Sequence, residues 1–192
     1  MSNMAITTLA GYVMNDKYIL AGRVFEDEDA LDDGLVDGTG TNLGGALYVQ
    51  LTDASGNVAA TAAVETDGSF TFTDVTGGSY TAQLTTTAGV VGEPMPATEL
   101  PVGWGYTGEH HGAGAGDDGQ PDGLLSVSVS GTTNIREVHF GVKQLNTPPN
   151  LAIIGNKTLY ELETLFFTAT ATDADLGSVL TFSLDAASLS LG

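Results

Sequence analysis

Cysteine is absent from this 192-residue chain, and basic residues are few, with 5 Lys and Arg against 24 Asp and Glu. Without cysteine there is no disulfide scaffold, thiol nucleophile, redox dithiol or cysteine-zinc site. The formal net charge of -19 leaves no basic face for nucleic acid, and an anionic membrane surface would repel the chain. No apolar run approaches the ~18 residues of a membrane helix, and the first nine residues do not have the pattern of a secretory signal.

Aromatic residues are also scarce at 7%, but 42% of the residues are hydrophobic, which excludes a disordered acidic tail. Apolar and polar residues alternate in many short stretches, the pattern of half-buried strands. These stretches are residues 18–25, 46–52, 69–73, 79–84, 125–129 and 135–142, with turn residues at 53–57, 67–68 and 77–78. Such short, frequent strands predict an all-β fold, an antiparallel β-sandwich with one solvated face on each sheet.

A proline pair, Pro148 and Pro149, marks a linker over residues 145–150. We therefore predict an N-terminal extension at 1–16, a β-sandwich at 17–144, and a second β-domain at 151–192. The second domain offers strands near 151–154, 158–160, 164–172 and 179–184, too few to close a sandwich of about seven. We expect it to be completed by chain that follows in the natural protein or by a strand from elsewhere.

Six stretches in the first domain occur in the order found in a known family: residues 22–27, 51–58, 66–72, 77–81, 100–104 and 138–142. Residues 17–143 thereby resemble the B-type repeats of Gram-positive Sdr surface adhesins, within the collagen-adhesin B-domain group, which implies a prealbumin-like fold. Gly77 replaces the family's usual Pro, and His139 its usual Asp. The sequences of residues 37–42 and 107–109 look most like those of B-type repeats in very large surface proteins of Bacteroidota.

Residues 146–185 resemble the start of a bacterial Ig-like or cadherin-like repeat, through residues 146–149, 154–158, 165–175 and 180–184. The two resemblances together imply a sandwich followed by a partial Ig-like β-domain. They predict a structural or adhesive module of an extracellular bacterial surface protein or filament, located at the cell surface. The alternative is a glycan-binding accessory module of a secreted enzyme.

Residues 26–37 hold seven acids and no base. Like charges at ~4 Å repel by about 1 kcal/mol even in water, and Ca²⁺, which takes 6–8 oxygen ligands, would reverse that repulsion. The resemblance implies Ca²⁺ binding here through a D-x-N-x-D-G-x-x-D motif. Asp27, Asp29, Asp33 and Asp37 fit it only with one inserted residue, which brings Asp32 into competition. The alternative is a solvated acidic loop.

Two further candidate Ca²⁺ sites follow. Asp117, Asp118 and Asp122 lie in a loop rich in Gly, where an ordinary surface turn is the alternative. The cadherin-like resemblance implies a junction site, for which the matching residues are Asn146, Glu161, Asp173 and Asp175. There, turn chemistry at 173–175 is the alternative. Calcium is the only cofactor that we predict.

No motif assembles a nucleophile with its base, so we predict no enzyme. Adjacent His110 and His111, which we place in a Gly-rich loop, cannot easily share one tetrahedral zinc ion. Trp104 is expected to anchor a loop on the sandwich, with sugar stacking as the alternative.

Residues 5–14 alternate well enough to form a strand. That strand could add to its own sheet or to the open edge of another copy's second domain, which would polymerise subunits head to tail. The predicted partners are therefore other copies of the chain or neighbouring β-domains, with an unknown host or matrix ligand, no nucleic acid and no direct membrane insertion.

Overall fold

Strands account for all the regular structure in the computed structural model, which describes residues 17–112, 119–130, 133–175 and 177–183. The described part of the chain contains no helix that is long and apolar enough to cross a membrane. The contacts divide the chain into two units, Met1–Gln144 and Leu145–Gly192. The predicted N-terminal strand at 5–14 lies outside the described residues.

The described residues of the first unit form nine strands in two sheets. They are β1 (Lys17–Glu26), β2 (Thr39–Gly40), β3 (Tyr48–Thr52), β4 (Val58–Ala63), β5 (Ser69–Thr76), β6 (Gly78–Thr85), β7 (Trp104–His111), β8 (Leu124–Val129) and β9 (Ile135–Gln144). One sheet has the order β2-β1-β9-β7, and β5 also pairs with β1; the other has the order β4-β3-β6-β8. The prediction of an all-β sandwich is confirmed.

One pair of strands departs from the antiparallel pattern. The first and last long strands, β1 and β9, run parallel to each other, with Val24 opposite Phe140. Strands so far apart in sequence can pair in parallel because the rest of the domain serves as their connection. All the other strand pairs in the described residues are antiparallel.

The core lies between the two sheets and follows from the alternation of each strand. Every second residue points inward, so Leu20 and Val24 of β1 meet Val49 and Leu51 of β3 and Phe140 of β9 in one cluster of buried side chains. Each such side chain stabilises the fold by about 1.5–3 kcal/mol when fully buried. Trp104 and Tyr106 are partly buried and pack against the same cluster.

The outer face of the second sheet is not fully solvated, contrary to our prediction. Gln50, Gln83 and Thr85 point away from the core but are fully buried. The segment of residues 86–103 covers them: Gln83 donates to the Pro96 carbonyl at 3.0 Å and to Thr98 Oγ1 at 2.7 Å, and Thr85 donates to the Ala97 carbonyl at 3.0 Å. Polar side chains suit this face because the covering segment offers them backbone carbonyl groups as hydrogen-bond acceptors.

The second unit contains far less regular structure. Its described strands are β10 (Asn150–Leu151) and β11 (Ala171–Thr172), which pair antiparallel, and the Ala152 amide extends the ladder to the Thr170 carbonyl at 2.8 Å. Residues 158–160 and 179–183 form no strands, so those two predicted strands are wrong for the described part of the chain. A strand needs neighbours to satisfy its backbone, and this unit supplies too few.

Candidate functional site: the acidic loop

The loop of residues 27–38 is anchored to the first sheet by Asp27. The Asp27 side chain is only 1% exposed, and its Oδ2 accepts a hydrogen bond from Thr107 Oγ1 at 2.7 Å. Oδ1 accepts from the Ala30 amide at 2.9 Å. Both carboxylate oxygens are therefore engaged in holding the loop, which is a structural role that the sequence pattern did not indicate.

Gly141 makes this anchor sterically feasible. A Cβ at this position would lie 2.1 Å from Thr107 Oγ1, 2.8 Å from Asp27 Oδ2 and 3.3 Å from Val36 Cγ1. The Asp27 carboxylate and the buried Val36 side chain thus rest on bare backbone of β9. The loop crosses the outer face of the first sheet at this point.

The electrostatics of Asp27 follow from its position. Burial raises the pKa of Asp27, the hydrogen bond from Thr107 opposes that rise, and neighbouring Asp29 raises the pKa further. Ionisation of the Asp27 carboxylate is therefore less favourable in the folded protein than in water.

Four other acidic side chains border an open pocket of about 420 Å³ beside the anchor: Glu26, Glu28, Asp29 and Asp37. Glu28, Asp29 and Asp37 are exposed. Glu26 and Glu28 were not among the predicted ligands, although the density of acids in the sequence was the signal that could have included them. Asp32 and Asp33 do not line the pocket, and Asp33 instead accepts from the Leu35 amide at 2.9 Å.

These carboxylates do not converge on one point. Across the described ranges, no group of three or more His, Asp or Glu side chains is close enough to hold a metal ion. A Ca²⁺ ion at the pocket would therefore have to draw the exposed side chains inward. The prediction of Ca²⁺ binding here stays a prediction.

The second predicted Ca²⁺ site is only partly visible. Asp117 and Asp118 lie outside the described residues. Asp122 accepts from the Leu124 amide at 2.9 Å, which is ordinary turn chemistry. Beside it lies a carboxylate whose burial the sequence did not reveal: Glu109 is fully buried, and its Oε1 accepts from the Gly123 amide at 2.5 Å.

Tyr106 lies close to several of these acidic side chains, and they affect its pKa. Its hydroxyl donates to the Leu84 carbonyl at 2.9 Å. Burial raises the pKa of Tyr106, and the nearby charges of Glu109, Asp122 and Glu99 raise it further.

The third predicted Ca²⁺ site falls within the second unit. Asp175 accepts from the Thr147 amide at 2.6 Å and from Thr147 Oγ1 at 3.0 Å. Asp173 in turn accepts from the Asp175 amide at 2.8 Å. Direct hydrogen bonds thus connect Asp175 of the D-x-D pair to Thr147, the residue that follows Asn146. Asn146 and Glu161 are both exposed.

The histidine pair lies in a strand rather than in the predicted Gly-rich loop. His110 and His111 end β7, and His110 lies opposite His139 of β9. The prediction was wrong because the frequent glycines from Gly108 to Gly116 gave the segment a loop-like composition, whereas pairing with β9 decides the conformation of His110 and His111. Trp104 at the start of β7 packs against the core, in line with the anchoring role that we predicted. The sugar-stacking alternative stays a prediction.

Comparison with known proteins assigns no family and no function to the chain. No protein-family model matches the chain, and no curated protein matches it. Among solved structures, a DUF3823 family protein from Parabacteroides merdae, solved at 1.80 Å resolution, matches with a TM-score of 0.34 and 14% identity over 71% of this chain and 52% of that chain. The chain thus spans about half the length of that protein. The resemblance to B-type repeats continues to rest on the sequence motifs.

Proposed function

We propose that the protein is a structural module of an extracellular bacterial surface protein or filament, built from β-domains in series and stabilised by calcium. One observation carries this proposal: a complete sandwich is followed in the same chain by a β unit whose described residues pair only two short strands. A chain that leaves a β unit open in this way is suited to joining further strands, which is how fibres and stalks are assembled.

The second unit offers the apolar surface that such joining would cover. Its exposed large side chains include Ile153, Tyr160, Leu162, Phe166 and Val179, each at least 80% exposed. Monomeric soluble proteins rarely expose contiguous apolar patches of more than a few hundred Å². Further strands of a longer chain, or residues 5–14 of another copy, are the proposed cover.

Electron microscopy of the native material tests the assembly. Filaments or stalks should be visible, and if residues 5–14 are the donor strand, a chain lacking residues 1–14 should fold but fail to polymerise. Unchanged filaments from the shortened chain would reject that donor and leave strands of a longer chain as the cover. Native material that consists only of dispersed monomers would reject the proposed function.

Calcium is proposed for the acidic loop because the exposed carboxylates around the pocket have no basic partner there. The described ion pair of the chain, Arg23 with Asp67 at 3.6 Å, lies elsewhere. At a concentration 100 times the dissociation constant, a bound ion would stabilise the fold by about 2.7 kcal/mol.

A thermal melt tests this site. Adding Ca²⁺ to chelated protein should raise the melting temperature, and Asp29→Asn with Glu28→Gln should abolish most of that rise. Glu93→Gln with Glu99→Gln removes the same charge from exposed positions in the segment of residues 86–103, which covers the second sheet, and serves as the control. An equal Ca²⁺ response in both double variants would contradict the site.

A further inference from the structure

The basic residues of this acidic chain are concentrated on two neighbouring strands. Lys17 and Arg23 lie on β1, and Arg136 and Lys143 lie on β9, so these strands hold four of the five Lys and Arg residues. β1 and β9 pair directly in the first sheet. The fifth, Lys157, lies in the second unit.

Alternation along β1 separates its two faces. Leu20 and Val24 are buried in the core, so Arg23 and Phe25 point to the outer face of the sheet. Arg23 lies opposite His139, and His139 lies opposite His110, which forms a row across β1, β9 and β7. The His139 ring contacts the edge of Phe25 with a centroid separation of 5.1 Å.

This outer face contains an open pocket of about 260 Å³, whose polar lining residues are Arg23, Arg136, His139 and Glu137. Arg23 makes an exposed ion pair with Asp67 and lies over the Phe25 ring, with 6.0 Å between its Cζ and the ring centroid, and exposed ion pairs of this kind are weak. Arg136 is exposed. Both guanidinium groups can therefore reach a carboxylate presented from outside, and the planar guanidinium matches a carboxylate with two parallel hydrogen bonds.

Acidic side chains lie at the other end of the same face. Asp27 rests on Gly141, and from there the loop with exposed Glu28 and Asp29 leaves the sheet. Asp27 lies four residues beyond Arg23, about 13 Å along the strand at about 3.3 Å per residue. The outer face of β1, β9 and β7 therefore has a basic half, which carries Arg23 and Arg136 together with Glu137, and an acidic half, which carries Glu28 and Asp29 together with Lys143 of β9.

A surface with this arrangement is complementary to itself. A two-fold axis between the halves would place the acidic half of one copy on the basic half of the other, and would make two equal contacts. Elsewhere, two chains with a formal charge of -19 repel each other.

We propose that the outer face of β1, β9 and β7 is a self-association surface, on which Arg23 and Arg136 of one copy bind the Glu28 and Asp29 carboxylates of a second copy. The contact is lateral and ionic, and it uses a different surface from the strand joining proposed above. It does not depend on that proposal. Because Ca²⁺ and a second copy would compete for the same carboxylates, the contact is expected in the presence of a chelator.

Sedimentation velocity of the full chain in chelator tests the surface. The chain should sediment as a dimer at about 0.1 M salt, where the repulsion between whole chains is screened beyond about 10 Å, and shift to monomer at about 1 M, where the Debye length is about 3 Å. Strand joining through apolar side chains would not weaken with salt. A chain that is monomeric at low salt, or a dimer that persists at high salt, would overturn the proposal.

A charge exchange tests the pairing. Arg23→Glu with Arg136→Glu, and separately Glu28→Lys with Asp29→Lys, should each shift the chain to monomer, with the dissociation constant raised at least about tenfold. An equimolar mixture of the two double variants should restore the dimer, because each reversed half then meets its complement. The restored dimer also shows that both variants are folded.

The control is Glu93→Lys with Glu99→Lys, which changes the net charge as the loop variant does, at exposed positions in the segment of residues 86–103 that covers the second sheet. It should leave the dimer intact. A mixture that stays monomeric while circular dichroism shows both variants folded, or a control that loses the dimer as fully as the loop variant, would reject the pairing.

Discussion

The two units of the chain differ in how completely they bury their apolar residues. In the first unit, Leu20, Val24, Val49 and Phe140 have no exposed surface, whereas in the second unit Ile153 and Leu162 are at least 98% exposed. Both units are made from similar β-forming sequence. The difference shows that apolar residues with β propensity are not enough: a strand becomes part of a core only when enough neighbours pair with it.

The largest expected loss of stability comes from a substitution in the core of the first unit. Phe140→Ala should destabilise the protein by about 3–5 kcal/mol, because it leaves a cavity in a packed interior. Phe166, which is 87% exposed, offers the matched change in the second unit. Phe166→Ala should change the free energy of unfolding by no more than about 0.5 kcal/mol, as at most surface positions. Denaturant unfolding of both variants measures this contrast, and equal losses would remove the distinction between the units.

A substitution at the anchor of the acidic loop should cause a smaller loss of stability. Gly141→Ala should destabilise the fold by about 1–3 kcal/mol, because the new methyl group overlaps Thr107 and Asp27. Gly77→Ala is the control, since its nearest neighbour, the Val129 carbonyl, would lie at an ordinary 3.5 Å. Unfolding midpoints of the two variants check the prediction. If both variants melt alike, the loop is not held where the structure places it.

The smallest expected effect is the pH dependence of the contribution that Asp27 makes to stability. The pKa of Asp27 is raised above its ordinary value of 3.8, so the folded protein binds this proton more tightly than the unfolded chain does. The contribution of Asp27 to stability is thus most favourable below the unfolded pKa and declines as the pH rises through the folded pKa.

Comparison with Asp27→Asn isolates this dependence. In chelator, the stability of the native chain relative to the variant should fall as the pH rises from the ordinary pKa of 3.8 through the raised pKa of folded Asp27. Unfolding midpoints measured across that range give the difference. A relative stability that increases with pH would mean that the carboxylate is well compensated, for instance by a cation that the chelator did not remove.

The alternation of side chains was a good guide where strands are rich in Val, Leu, Ile and Phe, as in β1, β3, β5, β6, β8 and β9. It failed for β4, whose sequence from Val58 to Ala63 is mostly alanine, and for β7, whose glycines resemble a loop. Both form because strong strands lie beside them, which is a tertiary effect.

The candidate site, like the set of strands, was predictable from the sequence only in part. The acid density at residues 26–37 drew attention to this loop, and its binding of Ca²⁺ stays a prediction. The inward turn of Asp27 was not predictable, because it depends on Thr107 and Gly141, which lie at least 80 residues away in sequence. The burial of Gln50, Gln83 and Glu109 likewise depends on which segment covers which strand.

Hydrogen–deuterium exchange, compared between the isolated chain and native assembled material, tests the central claim most directly. In the isolated chain, amides of β1, β3, β6 and β9 should be protected, and those of residues 150–183 should exchange quickly. In assembled material, residues 150–183 should become protected, because added strands pair with them. Protection of these residues already in the monomer, or fast exchange that persists in the assembly, would contradict the account.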